Sequence, residues 1–230
     1  MKIVLSKSTP NRRRLLYTLA FSSLISLGLF AGRVMATGSY NYWFMAWNLL
    51  LAWLPLGFGW WLIGHLQSNA WLQWGSIVLA LLWLGFLPNT FYIASDIIHL
   101  QVNDSISLLY DIVMLLSFTF NGFVLGYLSL FSVHRRVRKS VGATLSNLFV
   151  ATVLLLCSFA IYLGRYLRWN SWDVLINPAG IIFDISEPFI NPRSHPQAFT
   201  TTFMFFVLIG SIYAVIYNLA KISKDSHGDL

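Results

Sequence analysis

Apolar residues in this chain gather into long runs separated by short polar stretches. A helix needs about 20 mostly apolar residues to cross the hydrocarbon layer of a membrane. Only helices and closed barrels satisfy their own backbone polar groups there. Six runs reach that length, at about 15–32, 42–66, 71–87, 106–131, 148–167 and 199–219. The pattern therefore predicts an all-α integral membrane protein of six transmembrane helices. A basic arm (1–14) precedes the bundle (15–220), a tail (221–230) follows it, and no linker separates two domains.

Two interruptions carry their own predictions. The third run ends in "FLPN", where proline removes a donor and disfavours a helical residue before it, so the helix ends or kinks near Leu87. Asn89 is placed to bond the freed backbone. "FYIASDIIHL" then predicts a short helix at the membrane interface, with Ser95 or Asp96 as its N-cap. Between the fifth and sixth runs, "DVLINPAGIIFDISEPFINPRSHPQAF" holds four of the seven prolines. It is too interrupted for another crossing, and it predicts a proline-rich outer loop, re-entrant or lying on the surface.

Composition agrees with the runs. The chain is 57% hydrophobic and 10% charged, with mean hydropathy +0.66; a soluble domain carries about a quarter charged residues. The net charge of +7 does not point to nucleic acid, because the basic residues flank apolar runs and form no stripe interleaved with aromatics. Lipid is the partner that composition requires. Lys2, Lys7, Arg12, Arg13, Arg14, Arg135, Arg136, Arg138, Lys139, Lys221 and Lys224 fall on one side if both termini are cytoplasmic, which leaves Arg33, Arg165, Arg168 and Arg193 outside. That bias sets the orientation of a multi-pass protein of the plasma or inner membrane.

Tryptophans give a second test. Trp43, Trp169 and Trp172 fall at the outer boundary, and Trp60, Trp61, Trp71 and Trp74 at the inner one; Trp53 and Trp83 lie deeper, between helices. The first run has two readings. Its basic start and Val34-Met35-Ala36 fit a cleaved signal peptide, but its length and Arg33 favour a retained anchor helix. Gly28/Gly32 and Gly122/Gly126 have the spacing that lets helices approach closely, here read as packing within one chain. Cys157 is the single cysteine, which excludes an internal disulfide and a cysteine-rich metal site.

The topology sorts the acids. Asp96, Asp104, Asp111, Asp173, Asp184 and Glu187 fall at the outer face, and Asp225 and Asp229 inside. Asp96 and His99, three apart, share a helical face. They suit an orienter and general base or two metal ligands, against the plainer reading of a cap and an interfacial histidine. Two ligands fall short of a zinc site, and no metal or cofactor is assigned. Asp111 lies about one and a half turns into the fourth run, where a carboxylate costs a few kcal/mol and needs a partner. Asn121, near mid-span, suits a hydrogen bond between helices. Arg165 and Arg168 share a helical face; they fit a carboxylate or phosphate ligand, or neutralise Asp96, Asp111 or Asp173. "NSWD" predicts a turn with Trp172 as anchor, and His195 has no assigned role.

Leu87, Pro88, Asn89, Tyr92, Asp96, His99 and Leu100 resemble the "LPNxxYxxxDxxHL" signature of a bacterial membrane family catalogued as domain of unknown function 1361. Tyr110-Asp111 and "GRYLRWNSWD" (Gly164 to Asp173, with Pro178 after it) resemble its other two polar motifs. The likeness covers roughly residues 45–220 and implies a polytopic bacterial membrane protein, with no reaction to carry over. The expected function is an outer-face polar site that binds or transports a small or charged ligand. Asn89, Tyr92, Tyr110, Arg165, Arg168, Asn170 and Asp173 are its candidate binding residues. A membrane enzyme acting on a lipid-linked or outer-face substrate, with Asp96, His99 and Asp111 as candidate catalytic residues, is the first alternative. A non-catalytic assembly protein, in which Asp111 pairs with Arg165, is the second.

Overall fold

The computed structural model describes residues 10–101, 106–171 and 173–225. Lys2, Lys7, Asp104, Trp172 and Asp229 lie outside them. Every described element is helical, in the order α1 (Pro10–Thr37), α2 (Trp43–His65), α3 (Trp74–Phe86), α4 (Pro88–Tyr92), a 3₁₀ helix (Ile93–His99), α5 (Leu108–Tyr166), α6 (Asp173–Ile176), α7 (Pro178–Ile190), a 3₁₀ turn (Pro192–Ser194) and α8 (Pro196–Asp225). Five segments among the described residues are long and apolar enough to cross a membrane: Arg12–Thr37, Trp43–His65, Trp74–His99, Leu108–Tyr166 and Pro196–Ile222.

The expected fourth and fifth spans both lie in α5. "HRRVRKS" holds no glycine or proline, so the helix continues through the basic cluster until Gly142, where φ is 83° and ψ −177°. That backbone region is essentially restricted to glycine. At 1.5 Å per residue an unbroken α5 would be about 90 Å long, roughly three times the hydrocarbon thickness.

The chain divides into two compact units, Met1–Val133 and His134–Leu230. In the first, Leu19, Met45, Leu49, Leu56, Ile93, Met114, Phe118 and Leu125 form a buried core drawn from α1, α2, the 3₁₀ helix and α5. Trp83 is buried as expected, and its indole donates to Ser129 Oγ (2.9 Å), which donates in turn to the Pro55 carbonyl (2.7 Å). Gly122 and Gly126 let α5 press against α4: a Cβ at either would overlap Thr90, whose side chain is fully buried. The Gly122/Gly126 spacing thus serves packing within the chain.

The helix end at "FLPN" falls where expected, although the path stays helical. α3 ends at Phe86, but Leu87 keeps helical angles (φ −57°, ψ −39°) and Pro88 opens α4 at its first position, where proline's missing N–H costs nothing. Asn89 Nδ2 donates to the Phe86 carbonyl (3.1 Å), as expected. The capping expectation fails. Ser95 and Asp96 lie inside the 3₁₀ helix, and Ser95 donates to the Tyr92 carbonyl (2.7 Å) because the chain is already helical when it reaches them.

The second unit corrects the expected proline-rich loop. Residues 178–190 are the helix α7, with the Asn177 side chain accepting from the Gly180 N–H (3.1 Å) at its start. Pro178, Pro192 and Pro196 each open a helical element, and Pro188 lies in the last turn of α7. Three of these prolines therefore start helices.

Candidate functional site

Arg33 lies one turn before the end of α1, and Asp111 in the first turn of α5. Each helix dipole favours the charge it meets, cationic near a C-terminus and anionic near an N-terminus. Arg33 Nε donates to Asp111 Oδ1 at 2.8 Å and Nη2 to Oδ2 at 3.3 Å, a two-point fork. Both residues are buried, at 2% and 1% exposure. Breaking such a pair by removing one partner costs about 3–5 kcal/mol, since the other charge is left buried and uncompensated.

Tyr42 joins this pair to the "LPNTFYIASDIIHL" stretch. Its ring lies under the Arg33 guanidinium, 4.4 Å from centroid to Cζ, and its hydroxyl donates to the His99 carbonyl (2.9 Å). Asn48 Nδ2 donates to Asp96 Oδ2 (2.9 Å), which ties α2 to the 3₁₀ helix. Asp96 is buried whereas His99 is exposed, with its ring edge-on to Phe44 at 5.1 Å. The two lie three residues apart in the 3₁₀ helix, whose three-residue repeat puts them on one face. Tyr110 donates to the Leu29 carbonyl (2.7 Å), and a Cβ at Gly32 would lie 2.7 Å from that hydroxyl, so this glycine admits the tyrosine.

Further bonds hold α1 along its length. Asn121 Nδ2 donates to Ser26 Oγ (3.0 Å) and the Ser22 carbonyl (3.3 Å), as expected of a residue joining helices. Trp53 Nε1 donates to Ser23 Oγ (3.2 Å), and Arg12 lies over the Trp60 ring at 3.7 Å. α1 stays helical through Val34-Met35-Ala36.

Two side-chain atoms among these contacts, Arg33 Nη1 and Asn121 Oδ1, are buried with no hydrogen-bond partner. Arg33 Nη1 is buried and meets no acceptor. Its two N–H groups can serve an anion, a carbonyl or an ordered water.

The predicted site residues separate by unit. Asp96, His99, Tyr110 and Asp111 come together in the first, through Arg33, Tyr42 and Asn48, none of which was predicted for the site. Asn89 serves the local backbone, and the Tyr92 carbonyl accepts from Ser95. In the second unit Arg168 corrects the expectation that it shares a helical face with Arg165. It follows the end of α5 with φ 60°, and Leu167 N and Trp169 N both donate to the Leu163 carbonyl (3.1 and 3.2 Å). This is the left-handed closure that glycine usually provides. Asp173 Oδ2 accepts from Asn170 N (2.6 Å) and Nδ2 (3.2 Å), so "NSWD" is the turn expected. Asp111 pairs with Arg33; the assembly-protein alternative expects Arg165.

Position along the spans could have identified Arg33. It ends the first apolar run, Asp111 lies just inside the fourth, and alternating crossings put the two at one depth. Among the described residues, no three His, Cys, Asp or Glu side chains are grouped to hold a metal. A family model, described as a protein of unknown function (DUF1361), matches residues 47–211. The match includes Asn48, Asp96, His99 and Asp111, while Arg33 and Tyr42 precede it. No curated protein and no solved structure matches the chain.

Proposed function

The chain belongs to the DUF1361 family of proteins of unknown function, and we propose that it is a membrane protein that binds, and in binding carries or senses, a small anionic ligand at Arg33. The break at Gly142 supports six crossings, with the helical basic cluster before it at the cytoplasmic side. The lysine and arginine bias supports cytoplasmic termini in a bacterial plasma membrane. The first span is a retained helix, held by Arg33, Tyr110, Asn121 and Trp53. The 3₁₀ helix lies at the outer interface, where exposed Ile97 and Ile98 meet lipid.

The observation that carries the binding reading is Arg33 Nη1, a cationic donor buried without an acceptor. The test is thermal unfolding of the purified protein in detergent with acetate or inorganic phosphate at constant ionic strength. Either anion raises the midpoint for the native protein, and Arg33→Lys, which lacks Nη1, loses the gain. An unchanged midpoint with both anions overturns this reading.

A second reading is a structural lock that assembles the bundle, favoured by the two-point closure of Arg33 on Asp111. It predicts no anion response and a large loss of stability from either single substitution.

A further inference from the structure

Unit 2 has a cavity of about 490 Å³ between the second half of α5 and α8, within the roughly 300–1,000 Å³ common for ligand sites. Ala151 and Leu154 form one wall; Val207 and Gly210 face them from α8, and the lining is predominantly apolar. Gly210 leaves open space, with nothing within 4 Å of where its Cβ would be.

One end is polar. His134, Asn147 and Tyr217 line it, and His134 is 2% exposed. Its Nδ1 meets the Tyr213 hydroxyl at 2.6 Å, its ring stacks on Tyr217 at 5.3 Å, and its Nε2 is buried with no hydrogen-bond partner. Arg138 donates to the Tyr217 hydroxyl. It belongs to the Arg135, Arg136, Arg138, Lys139 cluster that the sequence assigns to the cytoplasmic side.

An apolar slot ending in hydrogen-bonding groups and a cation is matched by a molecule of the same polarity. We propose that this cavity holds an anionic phospholipid of the cytoplasmic leaflet. One acyl chain lies between Ala151 and Gly210, and the phosphate lies at the His134–Tyr217 end beside Arg138. Basic pockets between helices on the cytoplasmic side are suited to such headgroups. This inference is independent of the Arg33 site and of any ligand there.

The experiment is thermal unfolding of the full chain in detergent with phosphatidylglycerol, phosphatidylcholine or inorganic phosphate added. Phosphatidylglycerol raises the midpoint more than phosphatidylcholine does, and phosphate alone leaves it unchanged. Ala151→Phe fills the slot and abolishes the lipid response, while Arg138→Gln narrows the gap between the two phospholipids. Native mass spectrometry provides a readout independent of stability, with retained phosphatidylglycerol lost from Ala151→Phe. Equal responses to both phospholipids, a response to phosphate alone, or lipid retained by Ala151→Phe would overturn the proposal.

Discussion

The polar motifs of the two units use the same residue types to different ends. In unit 1, Arg33 and Asp111 are separated by 78 positions and meet in a buried fork. In unit 2, Arg168 ends a helix and Asp173 closes a turn with Asn170, three residues away. The first arrangement joins helices far apart in sequence and removes two charges from solvent. The second satisfies local backbone and leaves Arg168 and Asn170 exposed. A polar motif in a membrane protein therefore says little until it is known whether its partners are local or distant, because buried, uncompensated charge carries the large energies.

The comparison is broken most severely at Asp111. Asp111→Asn leaves Arg33 buried and uncompensated and is expected to lose about 3–5 kcal/mol of stability, seen as a large drop in the thermal midpoint. Asp173→Asn, the same change in unit 2, should move the midpoint little, since exposed contacts are worth about 0–1 kcal/mol. Equal losses at the two positions would erase the distinction.

Packing gives the next largest effect. Gly126→Leu forces a side chain into Thr90 and Phe91 and should cost about 1–3 kcal/mol. Gly28→Leu, where nothing lies within 4 Å, should be near neutral. Tyr42→Phe keeps the ring under Arg33 and removes the bond to the His99 carbonyl, for an expected loss of about 0.5–1.5 kcal/mol. One change is a gain: Arg168→Gly relieves a left-handed backbone and should stabilise by about 1 kcal/mol. Chemical denaturation in mild detergent resolves all four, and a loss at Arg168→Gly would show that its side chain contributes more than its backbone costs.

What was legible in the sequence follows the same division. Apolar runs mark the helices because lipid demands it. The Asn89 bond and the "NSWD" turn are short-range, so spacing reveals them. The Ser95–Asp96 cap was misplaced because Pro88 opens a new helix directly where α3 ends, and Pro178, Pro192 and Pro196 likewise open helical elements. Asp111 was recognisable as needing a partner, but Arg33 lies 78 positions away and bore only on whether the first run is retained. Tyr42 and Asn48 resemble ordinary span-end residues and gain their roles only through tertiary contacts.

The most direct measurement is a double-mutant cycle on Arg33→Met and Asp111→Leu, read as unfolding free energy in detergent. A buried pair predicts that each single change is severe and that the double mutant recovers much of the loss, with a coupling of about 2–3 kcal/mol. Single losses that add to within about 0.5 kcal/mol would contradict the account.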